Sequence, residues 1–131
     1  MIKSIDHLVL TSKNIDETIR FYCDILGMEL ERFMPTDGSP VRLALRFGHQ
    51  KINLHNAGSP YIPHAQNPVP GAVDICFLTD LLLDDWLDTF RTHKVPIENG
   101  PTKKTGATSP LLSIYVRDPD GNLIEISNKV S

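Results

Sequence analysis

One short strand pattern occurs twice in this chain, and it constrains the fold more than any other feature of the sequence. Residues 5–11 read Ile-Asp-His-Leu-Val-Leu-Thr, and residues 73–79 read Val-Asp-Ile-Cys-Phe-Leu-Thr. Each copy is followed by an amphipathic helix pattern and then by several strand patterns. The repeated order predicts a duplicated unit of about 60 residues, with internal modules at approximately 1–58 and 70–131.

The first module contains a helix with recognisable end signals. Asn14 is a favourable N-cap residue, and Glu17 three positions later completes a capping-box pattern. Gly27 can adopt the left-handed conformation that commonly ends a helix. Strands are predicted on either side of this helix, at residues 5–10, 28–34, 41–47 and 51–55.

The second module repeats this order after a proline-rich loop at residues 56–71. Asp80 is positioned to cap a helix, whose predicted apolar face consists of Leu83, Trp86, Leu87 and Phe90. Residues 118–121 read Asp-Pro-Asp-Gly, the preferences of a type I turn, and therefore predict a hairpin. The predicted strands lie at residues 73–79, 112–117 and 123–128, with a short extended piece near Ile97.

Length and charge narrow the classes of protein to which the chain can belong. Its 131 residues fit one domain spanning 1–131, and 40% hydrophobic residues suffice for a core. The net charge of −3 and the absence of a basic block argue against a nucleic-acid partner. Lys103 and Lys104, the only adjacent basic pair, are assigned to a solvated loop.

Membrane insertion and secretion are not expected from this sequence. No apolar run approaches the roughly 20 residues that a membrane-spanning helix needs. The N-terminus has no signal-peptide layout, so the cytoplasm is the expected location. Cys23 and Cys76 lie in apolar patterns and are predicted to be reduced, buried thiols.

The predicted strands each have an apolar and a polar face, because side chains alternate across a strand. The apolar faces suit packing against the helices. The opposite faces collect polar or ionisable side chains in mid-strand, namely His7, Asn53, His55, Asp74, Tyr115 and Glu125. Imidazole and carboxylate groups suit a divalent transition metal. A metal site is one interpretation of these faces, and separate hydrogen-bonded structural residues are the other.

Three segments resemble the vicinal-oxygen-chelate superfamily, which includes glyoxalase I, extradiol dioxygenases and bleomycin-binding proteins. They are Asp6-His7, Phe21-Tyr22 with Leu26-Gly27, and the stretch from Asp118 to Glu125. The resemblance implies an α+β fold with two βαβββ modules. These modules would form a U-shaped, curved mixed sheet around a metal-binding cavity, with the helices on the outer face. It also implies a homodimer that acts on a small molecule.

The resemblance further implies a set of ligands for one divalent metal ion (Zn, Ni, Mn, Co or Fe(II)). His7 matches the ligand of the first strand, and Glu125 matches that of the last strand. Asn53 aligns with the usual fourth-strand Glu, but His55 lies two residues later on the same face. Asp74 occupies the position of a common fifth-strand His. The predicted ligands are therefore His7, His55, Asp74 and Glu125, with Asn53 as the alternative to His55.

Three functions are consistent with this resemblance. The first is a glyoxalase-like lyase or isomerase acting on a small oxygenated substrate, with Glu125 as ligand and base or Asp74 as base. The second is an extradiol-type ring-cleaving dioxygenase, since Tyr115 lies ten residues before Glu125. The third is non-catalytic binding of a small molecule such as an antibiotic. Arg42 and Arg46 are either carboxylate-binding residues or solvated surface residues.

Overall fold

Each half of the chain forms one strand, one helix and three further strands in the computed structural model, which describes residues 1–131. In the first half these elements are β1 (His7–Ser12), α1 (Ile15–Ile19, continued by π-helical turns at Arg20–Ile25), β2 (Glu29–Phe33), β3 (Arg42–Phe47) and β4 (Gln50–Asn56). In the second half they are β5 (Asp74–Leu78), α2 (Leu83–Thr92), β6 (Asn99–Thr105), β7 (Pro110–Arg117) and β8 (Leu123–Lys129). The predicted α+β fold of two βαβββ modules is confirmed.

The chain divides into two compact units, Met1–Ala72 and Val73–Ser131, and each unit contains one mixed sheet. The strand order is β1-β4-β3-β2 in the first sheet and β5-β8-β7-β6 in the second. In both sheets the first strand pairs in parallel with the last strand, and the remaining pairs are antiparallel. The second strand of each module lies at the opposite edge of the sheet from the first strand and runs in the same direction, so the chain crosses the sheet between them, and the helix lies in this crossover.

The first helix has both predicted end signals. The Asn14 side chain accepts a hydrogen bond from the Glu17 backbone N–H at 3.2 Å, and Gly27 has a left-handed φ of +81°. The winding differs from the prediction of a single α-helix, because the last turns are π-helical. The spacing of apolar residues did not distinguish the two windings, and Phe21 and Tyr22 are both buried in the wider turns.

The start of α2 corrects the predicted role of Asp80. Leu82 is the N-cap residue, and no side chain caps the helix from that position. Instead Asn128 on β8 accepts a hydrogen bond from the Leu83 N–H at 3.1 Å, and its amide NH₂ donates to the carbonyls of Thr79 and Leu81. A side chain 45 residues away therefore stabilises this helix start, which no local pattern can predict.

The position and length of strand β6 differ from the prediction. An extended piece was expected near Ile97, with Lys103 and Lys104 in a loop, whereas both lysines pair with residues of β7. Gly100 has a φ of +94°, and the pairing register shifts between Asn99 and Thr102. These irregularities, together with the proline at position 101, concealed the strand because they interrupt the alternation of side chains.

The hairpin and the apolar faces follow the predictions more closely. The Gly121 N–H donates to the Asp118 carbonyl at 3.0 Å, which confirms the turn between β7 and β8. The helix-side residues of the central strands are buried, and these are Leu45, Ile52, Leu54, Ile114, Val116, Ile124 and Ile126. Both cysteines are free, but neither is buried as predicted, since Cys23 is half-buried and Cys76 is exposed. No helix has the length and apolar character needed to cross a membrane.

Candidate functional site

The polar face of the first sheet is built by cross-strand neighbours on β1, β4 and β3. His7 pairs with Lys51, Val9 with Asn53, and Thr11 with His55. Asn53 also pairs with Ala44 on β3, and Lys51 with Arg46. Cross-strand partners project from the same face of a sheet. The polar side chains predicted for this face therefore do share it, at different positions along the strands.

His7 has the local arrangement of a metal ligand. Its Nδ1 atom lies 2.9 Å from a carboxylate oxygen of Asp6, which accepts the Nδ1 proton. This hydrogen bond leaves the Nε2 atom on the opposite side of the ring from Asp6. A carboxylate that holds one imidazole nitrogen in this way commonly orients a histidine toward a metal. The His7 side chain is 43% exposed, so Nε2 is also accessible.

His55 is engaged differently, by Arg42. The Arg42 Nη2 atom lies 3.0 Å from His55 Nε2, and a guanidinium can only donate, so Nε2 accepts this hydrogen bond. Burial lowers the pKa of His55, and the Arg42 charge lowers it further. His55 is 3% exposed. The neutral ring therefore has its lone pair occupied and its Nδ1 protonated.

The strand register separates His55 from His7 along the polar face. His7 lies beside Lys51, and His55 is four residues further along β4, a distance of roughly 13 Å. Asn53 is nearer, two residues from Lys51, or roughly 7 Å along the strand. The Asn53 side chain is buried, and its Oδ1 atom has no hydrogen-bond partner. Asn53 therefore lies nearer to His7 along β4 than His55 does.

The polar face of the second sheet centres on Glu125. Glu125 on β8 lies between Cys76 on β5 and Tyr115 on β7. Ser127 Oγ donates to Glu125 Oε2 at 3.3 Å and also lies 2.6 Å from Ser113 Oγ. Glu125 forms no ion pair with any cation of the structure. A carboxylate in a hydroxyl-lined, partly buried position without a counter-ion is a candidate for ligand binding.

Tyr115 is held in its protonated form beside this carboxylate. Burial raises the pKa of Tyr115 to about 12, and the neighbouring Glu125 charge contributes in the same direction. The phenol therefore keeps its proton at neutral pH and can donate it in a hydrogen bond. The predicted proximity of Tyr115 and Glu125 arises because the two residues are direct partners across β7 and β8.

Asp74 shares the polar face of the second sheet with Glu125. It begins β5 opposite Leu123, two residues before Cys76, the cross-strand partner of Glu125. Asp74 is exposed, and its charge contributes to raising the pKa values of Tyr115 and Cys76. The second unit thus places two carboxylates and a phenol on one face, which are groups suited to transferring protons.

The four predicted metal ligands are divided between the two units. His7 and His55 belong to the first unit, whereas Asp74 and Glu125 belong to the second. The structure contains no group of three or more His, Cys, Asp or Glu side chains that could hold a metal ion. The complete ligand set therefore stays a prediction.

Arg42 makes more contacts on the polar face than its position in the sequence indicates. Its Cζ atom lies 4.3 Å from the centre of the Tyr61 ring and 5.6 Å from that of Phe33. The even spacing of Arg42, Ala44 and Arg46 on β3 indicates that they share a face. It does not reveal which arginine is the less exposed of the two. Arg46 pairs with Glu31 at 2.8 Å, whereas Arg42 turns to the aromatic rings and His55.

Comparison with known proteins identifies relatives along nearly the whole chain. The family model of the Glyoxalase/Bleomycin resistance protein/Dioxygenase superfamily matches residues 4–126. Virulence protein STM3117 of Salmonella typhimurium is 46% identical over 130 residues, covering 99% of this chain and 87% of that protein. Glyoxalase domain-containing protein RDO1 of Mycosarcoma maydis is 46% identical over 127 residues, covering 97% and 69%. A probable lactoylglutathione lyase of Synechocystis is 30% identical over 129 residues, covering 92% and 91%.

Solved structures also resemble this chain along nearly its whole length. The crystal structure of STM3117 matches with a TM-score of 0.91 at 46% identity and covers 99% of both chains. The crystal structure of lactoylglutathione lyase from Agrobacterium tumefaciens matches with a TM-score of 0.71 at 23% identity, covering 98% of this chain and 95% of that chain. The second likeness concerns the fold alone.

Proposed function

Because the chain belongs to the Glyoxalase/Bleomycin resistance protein/Dioxygenase superfamily, we propose that it is a metal-dependent lyase or isomerase of the glyoxalase type. The observation that carries the proposal is the environment of Glu125, a carboxylate that forms no ion pair and lies beside a phenol that keeps its proton. A probable lactoylglutathione lyase among the relatives agrees with this class of reaction. The substrate would be a small molecule with neighbouring oxygen atoms.

His7 and Glu125 are the residues that we assign to the metal. His7 presents a free Nε2 atom because Asp6 holds Nδ1, and Glu125 has no competing cation. Imidazole and carboxylate together suit Zn, Ni, Mn, Co or Fe(II). A bound divalent ion would polarise a carbonyl oxygen of the substrate and stabilise negative charge on it. We leave His55 outside this set because Arg42 occupies its lone pair.

The remaining polar residues of the second sheet have roles in moving a proton. Asp74 is the base that we assign, because its carboxyl group is exposed and lies on the same face as Glu125. It would accept a proton from the carbon next to the carbonyl and return it to the neighbouring carbon. Tyr115 would donate a hydrogen bond to the oxygen on which negative charge develops, since its raised pKa keeps the proton in place.

Metal analysis of variants is the first test of this proposal. Protein purified without chelator should contain one divalent ion per chain. His7→Ala and Glu125→Gln should lose it, and His55→Gln should retain it. Asp74→Asn should also retain the metal but lose at least about a hundredfold in kcat on a methylglyoxal–thiol adduct, as expected for removal of a general base. Metal-free wild-type protein, or unchanged metal content in His7→Ala, would overturn the proposal.

Ring-cleaving dioxygenation is a second candidate, favoured by the direct pairing of Tyr115 with Glu125. Oxygen uptake with catechols distinguishes it from the first candidate. Uptake that requires His7 and Glu125, without turnover of the thiol adduct, would favour the dioxygenase. A protein that is inert in both assays but binds a small molecule would favour sequestration without catalysis.

A further inference from the structure

A cluster of cationic and buried polar side chains lies on the polar face of the first sheet and extends along β4 from Lys51, beside His7, to His55. It consists of Arg42, Lys51, Asn53 and His55, with the rings of Phe33 and Tyr61. We propose that this anion cluster binds the carboxylate of a small organic acid that also carries a hydroxyl group. The inference rests on the proposed function in one respect: it takes this acid to belong to the class of substrates or products of the proposed enzyme.

The first reason is that two cations lie against the same aromatic ring and neither forms an ion pair with a carboxylate. The Lys51 Nζ atom lies 4.2 Å from the centre of the Phe33 ring, and the Arg42 Cζ atom lies 5.6 Å from the same point. Neither residue forms an ion pair, whereas Arg46 on the same face is paired with Glu31. The Arg42 charge contributes to lowering the pKa of Asp37, but the Asp37 carboxylate accepts its hydrogen bond from the Ser39 N–H. A bound anion would neutralise this local excess of positive charge.

The second reason is that two buried N–H donors have no acceptor. His55 Nε2 accepts from Arg42, so the neutral ring carries its proton on Nδ1. The His55 Nδ1 and Arg42 Nε atoms are both buried without a hydrogen-bond partner. Unpaired buried donors are costly and uncommon in folded proteins. The charged Arg42 Nε–H is a donor of the kind that forms strong hydrogen bonds with carboxylate oxygens, and the His55 Nδ1–H is a second donor on the far side of the ring.

The third reason concerns the hydroxyl group of the ligand. Asn53 Oδ1 is a buried acceptor without a donor, and the Asn53 side chain is 5% exposed. Asn53 lies two residues before His55 on the same face of β4, roughly 7 Å along the strand. A hydroxyl group next to a carboxylate is a donor of the right size for this acceptor. An unsubstituted fatty acid or an inorganic anion would leave Asn53 Oδ1 unpaired.

Binding of three probes to the full-length protein, treated with chelator, tests the proposal by NMR titration. Lactate should bind, propionate should bind several-fold more weakly because it lacks the hydroxyl group, and inorganic phosphate should not bind more tightly than lactate. Lactate should shift the Arg42 Nε–H and His55 Nδ1–H resonances of wild-type protein. Equal affinities for lactate and propionate would show that Asn53 does not recognise a hydroxyl group. Tighter binding of phosphate than of lactate would show that the cluster does not select a carboxylate.

Variants on the two arginines supply a matched comparison. Arg42→Gln should weaken lactate binding about tenfold or more, because a charge-assisted hydrogen bond is lost. Arg46→Gln, on the same strand and face but paired with Glu31, should bind lactate as the wild type does. Equal losses in both variants, or none in Arg42→Gln, would overturn the proposal. The wild-type resonance shifts decide the question if Arg42→Gln does not fold.

Failure of the proposed function and failure of this inference give different results. Lactate binding should persist in metal-free His7→Ala, because the anion cluster contains neither His7 nor a metal. If no metal is bound but lactate binding depends on Arg42, the anion cluster is supported and the proposed enzyme is refuted. If lactate does not bind but the metal ligands are confirmed, the proposed metal site is supported and the anion cluster is refuted.

Discussion

At the scale of single residues, buried polar atoms without partners distinguish functional from structural positions. Asn53 and Asn122 are both buried asparagines, but only Asn122 is fully engaged. Its amide donates to Asp118 Oδ2 at 2.8 Å and accepts from the Val73 N–H at 2.8 Å. Asn53 Oδ1 has no such partner. The unpaired Asn53 Oδ1 therefore agrees with the proposed contact between Asn53 and a ligand.

Replacing each asparagine by leucine tests this difference. We expect Asn53→Leu to leave the free energy of unfolding unchanged or raise it by about 1 kcal/mol, because an unsatisfied buried acceptor is removed. Asn122→Leu should lower it by about 2 kcal/mol or more, because partners are left unpaired. Urea unfolding monitored by circular dichroism measures both values. A loss of stability in Asn53→Leu equal to that in Asn122→Leu would mean that Asn53 has a structural role.

Tyr115 gives a prediction for alkaline pH. Its folded-state pKa of about 12 lies above the ordinary value of 10, so the folded protein holds this proton more tightly than the unfolded chain. The stabilisation is complete below pH 10 and is lost as the pH rises through 12. We expect wild-type stability to fall more steeply than that of Tyr115→Phe between these values. Denaturant unfolding across this range, together with the ultraviolet absorbance of phenolate, measures the difference, and parallel curves would contradict it.

At the scale of elements, helix α2 depends on a strand residue rather than on its own sequence. Asn128 makes one hydrogen bond to the first N–H of the helix and two to carbonyls of the preceding loop. The helix itself packs through Leu83 and Phe90, which are buried, and through Trp86, whose Nε1 donates to Thr79 Oγ1. The junction between β5 and α2 is therefore joined to β8 by one side chain.

Two alanine variants compare the observed and the predicted cap. Asn128→Ala should lower the free energy of unfolding by about 1–3 kcal/mol, because the helix start and two loop carbonyls lose their partner. Asp80→Ala should change it by less than about 0.5 kcal/mol, because Asp80 does not cap the helix. Thermal or urea unfolding measures both effects. A larger loss in Asp80→Ala than in Asn128→Ala would restore the original prediction.

At the scale of the whole molecule, the proposed metal should stabilise the folded chain. A ligand that binds only the folded state at a hundred times its Kd contributes about 2.7 kcal/mol. We therefore expect divalent metal to raise the Tm of wild-type protein and His55→Gln, and chelator to reverse the change. His7→Ala and Glu125→Gln should show no response. A response in His7→Ala equal to that of the wild type would exclude His7 as a ligand.

Local sequence preferences were sufficient to determine most of the architecture of this chain. The strand–helix–strand order of each module, the caps at Asn14 and Gly27, and the turn at 118–121 depend on neighbouring residues and were predicted correctly, whereas β6 and the start of α2 were not. The division of each strand into two faces was also predictable, since it depends only on the alternation of side chains. The duplicated strand pattern and the resemblance at Asp118 to Glu125 were enough to identify the superfamily.

Tertiary structure alone decided which polar residues meet. Strand pairing places His7 beside Lys51 and His55 beside Arg42, and it brings Tyr115 opposite Glu125. It also carries Asn128 to a helix that begins 45 residues earlier in the chain. The physical reason is that the pairing register joins segments far apart in sequence, so a shift of one residue would exchange every contact while leaving each local pattern unchanged.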